Sequence, residues 1–336
     1  MTSDTVKRIA QECGFDLAGV AAAEPPDDFE RYQNWVDQGH AGAMGYLADR
    51  RAEVRRDIRR LLPSAKTVIC VGKLYQQSAA PTPEGHGIVS RYAWGEDYHH
   101  TMYASLEQMA ARLQEVEQCE WKVCVDTAPV LERTYARLAG LGWVGKNTCL
   151  INEARGSWFF LGELITSLEL ETDVPPPERC GTCTRCIDAC PTQAFVPAGD
   201  WWAIDARRCI AYLTIELHGP IPEEHRAPMG THIFGCDICQ DVCPWNSRHD
   251  PAPSESLLNP FALELEECAN LSEQEFHLRF RASALARPKH AGFLRNVAVA
   301  MGNSGLERFK PALERLAADE NAMVAEHARW ALRRLA

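Results

Sequence analysis

Residues 180–191 read CGTCTRCIDACP, that is Cys180-x2-Cys183-x2-Cys186-x3-Cys190-Pro191, and this spacing decides what the middle of the chain is. Three thiolates two residues apart can wrap one iron–sulfur cubane if the chain turns tightly between them, and Gly181 and Thr182 suit such turns. Pro191 then turns the chain away, which leaves Cys190 free to ligate a second cluster. Downstream lies an altered run, Cys236-x2-Cys239-x3-Cys243-Pro244, short of one ligand, with Cys209 well upstream of it. Pairing the runs by a pseudo-twofold rule assigns Cys180, Cys183, Cys186 and Cys243 to one [4Fe–4S] cluster. Cys190, Cys209, Cys236 and Cys239 go to the other, and no ligand is left over. Structural zinc is the competing reading, since CxxC pairs also build zinc ribbons, but zinc has no use for the full run. Cys13, Cys70, Cys119, Cys124, Cys149 and Cys268 are scattered among apolar residues and read as small buried hydrophobes.

Proline breaks bound this ferredoxin-like segment: Pro175 to Pro177 before it, and Pro244, Pro251 and Pro253 after it. Before the first break, Val6, Ile9, Ala10 and Cys13 share a helical face, and so do Tyr103, Leu106, Met109, Leu113 and Val116. Strands are expected at Phe15 to Ala22, Lys66 to Leu74, Trp121 to Val125 and Trp158 to Thr166, with KTVICVGKL as a buried central strand. Helices alternating with apolar strands predict a sheet covered by helices, whose strand order the sequence leaves open. From Leu257 onward the chain reads as short antiparallel helices resembling a HEAT-type repeat. Barely more than one unit is present, so it must pack on the rest of the protein. The expected organisation is a mixed α/β and α+β chain in three parts: an α/β domain over 1–172, a two-cluster ferredoxin-like domain over 173–255, and a helical HEAT-like region over 256–336.

The chain has 336 residues, 46% of them apolar and 24% charged, and no run approaches the roughly 18 apolar residues of a membrane span. With no signal-like apolar core at its N-terminus, the protein is expected in a reducing cytoplasm, where fourteen cysteines suit metal better than disulfides. A net charge of −11 argues against a nucleic-acid partner unless basic residues gather on one surface.

No P-loop occurs. The densest polar text of the first part is VDTAPVLER, residues 125–133, directly after a predicted strand. Asp126 would therefore stand at a strand's C-terminal end, where it is either a helix cap for LERTYARLAG or a general acid if burial raises its pKa toward neutrality. GLGWVGKN, residues 140–147, is either a tight turn or a loop able to approach a phosphate or large cofactor.

Taken together, VDTAPVLERTYA, GLGWVGKN, GSWFFLGELIT, the CGTCTRC…CP run and GCDICQDVCPWN resemble the epoxyqueuosine reductase family. The resemblance extends from GFDLAGVA through RYAWGEDYHH to the helical tail. It implies an oxidoreductase that reduces epoxyqueuosine to queuosine at the tRNA wobble position, the last step of queuosine biosynthesis. It also implies a cobalamin-binding fold for the first part, with cobalamin beside the two clusters and Asp126 as proton donor. Ser90, Tyr98, His99, Asn147 and Ser157 become candidates for cobalamin contact, and Arg133 and Lys146 for the substrate nucleotide or a cofactor phosphate. His99 and His100 are not expected to ligate cobalt axially, since no DxHxxG-type motif occurs.

Two basic groups answer the charge objection. Arg279, Arg281, Arg287, Lys289, Arg295, Arg308, Lys310 and Arg315 are opposed between Phe276 and Leu316 only by Glu307 and Glu314. Arg50, Arg51, Arg55, Arg56, Arg59 and Arg60 form the second group. They are expected to grip the RNA backbone of a queuosine-family anticodon stem-loop while an extruded base gives specificity. An external donor such as a flavodoxin or ferredoxin is implied, and a monomer is expected. The rival readings are a reductive-dehalogenase-like, cobalamin-dependent reductase of a small molecule and a ferredoxin-type electron carrier. The former predicts an export signal, and the latter predicts no cofactor beyond iron and sulfide.

Overall fold

The computed structural model describes residues 1–75, 82–247 and 262–336. Pro251, Pro253 and Leu257, with the expected boundary at 255/256, lie outside the described residues. Among those described, no helix is long and apolar enough to cross a membrane.

The first part is built on a four-stranded sheet ordered Leu17–Ala22, Thr67–Leu74, Phe159–Thr166, Trp121–Cys124. Every pairing in it is antiparallel, so the sheet belongs to the α+β side of the expected fold class. Thr67–Leu74 is central, as its unbroken apolar text requires, and its first six residues are buried. Alternate residues face opposite ways. Ile69, Val71, Val123 and Leu164 pack beneath the helices Ser3–Glu12 and Tyr98–Val116, through Val6, Ile9, Met102, Leu106 and Met109. Val68, Cys70, Cys124 and Ile165 face the opposite way, onto Tyr135 and Ala136 of the Glu132–Leu138 helix. Each such aliphatic side chain contributes about 1.5–3 kcal/mol through burial. Glu163 interrupts the second face with an acid that is 0% exposed.

A smaller sheet joins the expected parts. His86–Val89 pairs in parallel with His232–Phe234 and antiparallel with Leu263–Glu264, one strand from each of the three segments. Beneath it, Ile210, Leu213 and Phe234 share one core with Leu265, Phe293, Val297 and Val324. Among the described residues, the HEAT-like tail shares its core with residues 206–234, which is what too few repeats dictate. Its last long helices, Lys289–Ser304 and Ala322–Arg334, cross at Gly302, where a Cβ would lie 2.7 Å from the Cα of Ala331.

Arg295, expected in the RNA-gripping group, is instead 0% exposed within that core. Its guanidinium donates to the carbonyls of Leu213, Leu217 and Gly219 and to Asn296 Oδ1. Arg55, from the second basic group, is also buried; it donates to the Tyr46 carbonyl at 3.3 Å and lies over the Tyr32 ring. Long cationic stems pack well against apolar surface, which is why charge counting alone misplaced both.

Candidate active site and cluster pockets

The Trp121–Cys124 strand ends two residues before Asp126, which adopts a left-handed backbone (φ 44°). Its N–H donates to Glu132 Oε1 at 2.5 Å, so the first residue of the next helix holds this turn. That helix is capped by Leu131 with no side-chain bond, so Asp126 is not its N-cap. The carboxylate stands on the wall of an open cavity of about 1000 Å³, together with Asp97, His99, Glu132, Arg133, Glu216 and Arg287.

His99 lies between two acids, Nδ1 at 2.5 Å from Asp97 and Nε2 at 3.0 Å from Asp126. With an acceptor at each nitrogen the ring is suited to the doubly protonated form. The Asp126 bond raises the His99 pKa against the opposing effect of burial, and Asp97 adds to the rise. On Asp126, burial acts upward, but the His99 bond and the positive charges of Arg287 and Arg133 prevail and lower its pKa. The upward effect of burial expected for Asp126 is present but is outweighed by His99, Arg287 and Arg133. Arg287, read from sequence as an RNA contact, faces the cavity, 4.0 Å from Asp126 and 2.8 Å from Glu216.

Behind Asp126 the electrostatics reverse. Burial, and then the Asp126 charge, push Glu132 up to about 8. Glu163 is raised in the same direction by burial and then by the adjoining Glu132 carboxyl. Although the two carboxyls adjoin, neither oxygen of Glu163 reaches full hydrogen-bonding geometry with any partner. Sequence reasoning passed over Glu132, Glu163 and Asp97. Glu163 could have been found, as the one acid inside the apolar strand FFLGELIT.

The expected cofactor contacts separate into two groups. Tyr98 and His99 line the large cavity, with Tyr98 stacked between Phe160 (4.1 Å, 3°) and His99 (4.2 Å). Ser90, Asn147 and Ser157 do not line it. Ser90 donates to Asp237, Asn147 to the Cys239 carbonyl at 3.4 Å, and Ser157 bonds with Asn246 and Gln240. Their side chains are engaged in tying the α/β part to the cysteine-rich segment. Arg133 does line the cavity and donates to the Thr148 carbonyl at 2.9 Å. Lys146 does not line it; its ammonium is held by the carbonyls of Gly181 (2.6 Å) and Cys183 (3.1 Å), within the first cysteine run.

Cys180, Cys183, Cys186 and Cys243 line one cavity of about 210 Å³, with Lys146 and Trp245 on its wall. Cys209 lies within electrostatic reach of Cys190, Cys236 within reach of both, and Cys239 within reach of Cys209 and Cys236. Two four-thiol neighbourhoods therefore exist, each drawing on both runs, and a pocket walled by four thiols fits a cubane. Cys149, read as an inert hydrophobe, instead lies against Cys239. Of the other five, Cys119 is half-buried and Cys13, Cys70, Cys124 and Cys268 are buried.

Known proteins resemble this chain in sequence and in fold. Residues 179–246 match a family model described as "4Fe-4S double cluster binding domain", and residues 55–127 match "Epoxyqueuosine reductase QueG, DUF1730". The epoxyqueuosine reductase of Xanthomonas campestris is 42% identical over 97% of this chain and 94% of its own length. That of Pseudomonas aeruginosa is 40% identical over 99% of this chain and 94% of its own. The solved epoxyqueuosine reductase of Streptococcus thermophilus superimposes with a TM-score of 0.90 at 30% identity, covering 98% of this chain and 89% of that one. Another, solved with an epoxyqueuosine-modified tRNA-Tyr stem loop, gives 0.89 at 28% identity, covering 99% of this chain and 89% of that one. With two-fifths of its residues shared along almost its entire length, and the thiol pockets where the double-cluster model lies, the chain belongs to the epoxyqueuosine reductase family.

Proposed function

We propose that this protein reduces epoxyqueuosine to queuosine at the wobble position of tRNA, completing queuosine biosynthesis in the cytoplasm. The observation that carries the reading is the His99–Asp126 pair, set on the wall of a large cavity in a chain whose eight cysteines gather in two sets of four. When bound, two [4Fe–4S] clusters and cobalamin supply stored electrons and a reducing centre beside the substrate. The cysteine sets would hold the clusters. The cavity, which Tyr98 and His99 line, is where a corrin and the substrate nucleoside would meet.

The protein's own groups manage protons and position. The hydrogen-bonded His99–Asp126 pair holds a proton at the cavity wall, where the epoxide oxygen would open, and Asp97 fixes the ring. The solved Bacillus subtilis relative is described with an aspartate-bearing catalytic loop swung out of its active site, which supports a mobile role for the equivalent turn here. Arg51, Arg281 and Arg287 border the same cavity and suit the phosphates of an anticodon loop. An external flavodoxin or ferredoxin would provide single electrons.

The test is an EPR and absorption study of anaerobic protein reconstituted with iron, sulfide and cobalamin, followed by incubation with an epoxyqueuosine-bearing stem loop. Cluster signals, bound cob(II)alamin and queuosine in the RNA are expected. Clusters without bound cobalamin would favour an electron carrier and reject the reductase.

A further inference from the structure

Converting an epoxide to an alkene breaks two C–O bonds, consumes two electrons and two protons, and releases the oxygen as water. On the function proposed above, both electrons come from the one-electron donor. The His99–Asp126 pair accounts for one proton, and another must arrive before water leaves.

Glu163 lies at the centre of the four-stranded sheet, opposite Cys70 on one neighbouring strand and Cys124 on the other. Met102 and Leu106 pack on the sheet's other face. The Glu163 carboxyl is wholly buried, neither of its oxygens reaches full hydrogen-bonding geometry, and the side chain it interacts with is the Glu132 carboxyl. A carboxylate left so would be very costly, whereas the neutral acid costs far less. The carboxyl beside it is that of Glu132, which also lines the large cavity and accepts the N–H of Asp126. The charged groups that act on Glu132 are Asp126, Arg133 and His99. A second acid thus connects the interior of the sheet to the cavity wall at the position of the proton donor.

We propose that Glu132 and Glu163 form a buried proton store behind Asp126, and that Glu132 delivers the second proton of the epoxide reduction, either to Asp126 or to the departing oxygen. Glu132 passes its proton outward and is reprotonated by solvent entering the emptied cavity. Glu163 stays neutral and keeps a proton beside Glu132 while the cavity is closed by substrate. The raised pKa of Glu132, about 8, suits an acid that is loaded at neutral pH and still able to give its proton up.

Two readouts on the reconstituted holoenzyme test this. The first is the infrared C=O band of neutral carboxyls at pH 7, which needs no turnover; it is expected in the wild type and weakened in both Glu163→Gln and Glu132→Gln. The second is the single-turnover rate of queuosine formation against pH. The wild-type rate should fall as pH rises through about 8. Glu132→Gln should lose that limb and run about 100-fold slower below it. Glu163→Gln should move the limb down by about one unit, because an amide N–H beside Glu132 favours its charged form. A wild type without the neutral-carboxyl band, or a Glu132→Gln enzyme with an unchanged limb, overturns the proposal. If Glu132→Gln fails to take up iron, Glu163→Gln carries both readouts by itself. A wild type that forms no queuosine at any pH defeats the functional reading, whereas an active wild type with unaltered variant profiles defeats only the proton store.

Discussion

At the scale of single residues, His99 and Asp126 set each other's protonation. Asp126→Asn should keep iron, sulfide and cobalamin at wild-type content and lose turnover by about 100-fold or more, read by queuosine formation in the stem loop. The pair also makes stability depend on pH in a definite direction. His99 has a raised pKa, so its contribution is complete below its unfolded value and is lost as pH rises through the folded one. Asp126 has a lowered pKa, so its contribution is complete above its unfolded value and is lost as pH falls through the folded one. Thermal unfolding should therefore show the wild type gaining over Asp126→Asn only at intermediate pH, with the difference shrinking at both ends. Asp126 was legible in sequence because it directly follows a strand and sits in dense polar text. Its partner was not, because residues 99 and 126 meet only once the long Tyr98–Val116 helix has returned the chain to the sheet. Lys146 illustrates the converse: GWVGKN reveals a glycine-spaced loop but not that the ammonium will meet the carbonyls of Gly181 and Cys183.

At the scale of elements, the expected strands and the long helix were found because burial on one or two faces writes a period into the text. The sheet's antiparallel order has no such local mark. The same limit applied to the basic residues of the tail, where a helical arginine reads alike whether it faces water or the core. Arg295→Met should lower unfolding free energy in denaturant by about 2–4 kcal/mol, since the carbonyls of Leu213, Leu217 and Gly219 lose their donor. It should leave the salt dependence of tRNA affinity unaltered, whereas Arg281→Ala at the cavity rim should flatten it. Where Lys289–Ser304 crosses Ala322–Arg334, Gly302→Ala puts a methyl against backbone that cannot yield easily. A loss of about 1–3 kcal/mol is expected in thermal or denaturant unfolding.

At the scale of the whole molecule, cysteine spacing forecast which distant thiols would share a neighbourhood, because cubane chemistry restricts the pairings far more than chain length does. Cys243→Ala should therefore lower iron content by about half and remove the same EPR signal as Cys180→Ala, although 62 positions separate the two residues. The three-part division was less legible, since a shared core leaves no trace in local composition. The small sheet that draws one strand from each part also fixes a timetable. On the ribosome, residues 206–234, which lead from Cys209 to Cys236, have no completed hydrophobic floor until Leu263–Glu264 and Lys289–Ser304 have been synthesised. The pocket for the second cubane thus takes shape only as translation nears its end, and iron–sulfur delivery has to act on a nearly finished polypeptide.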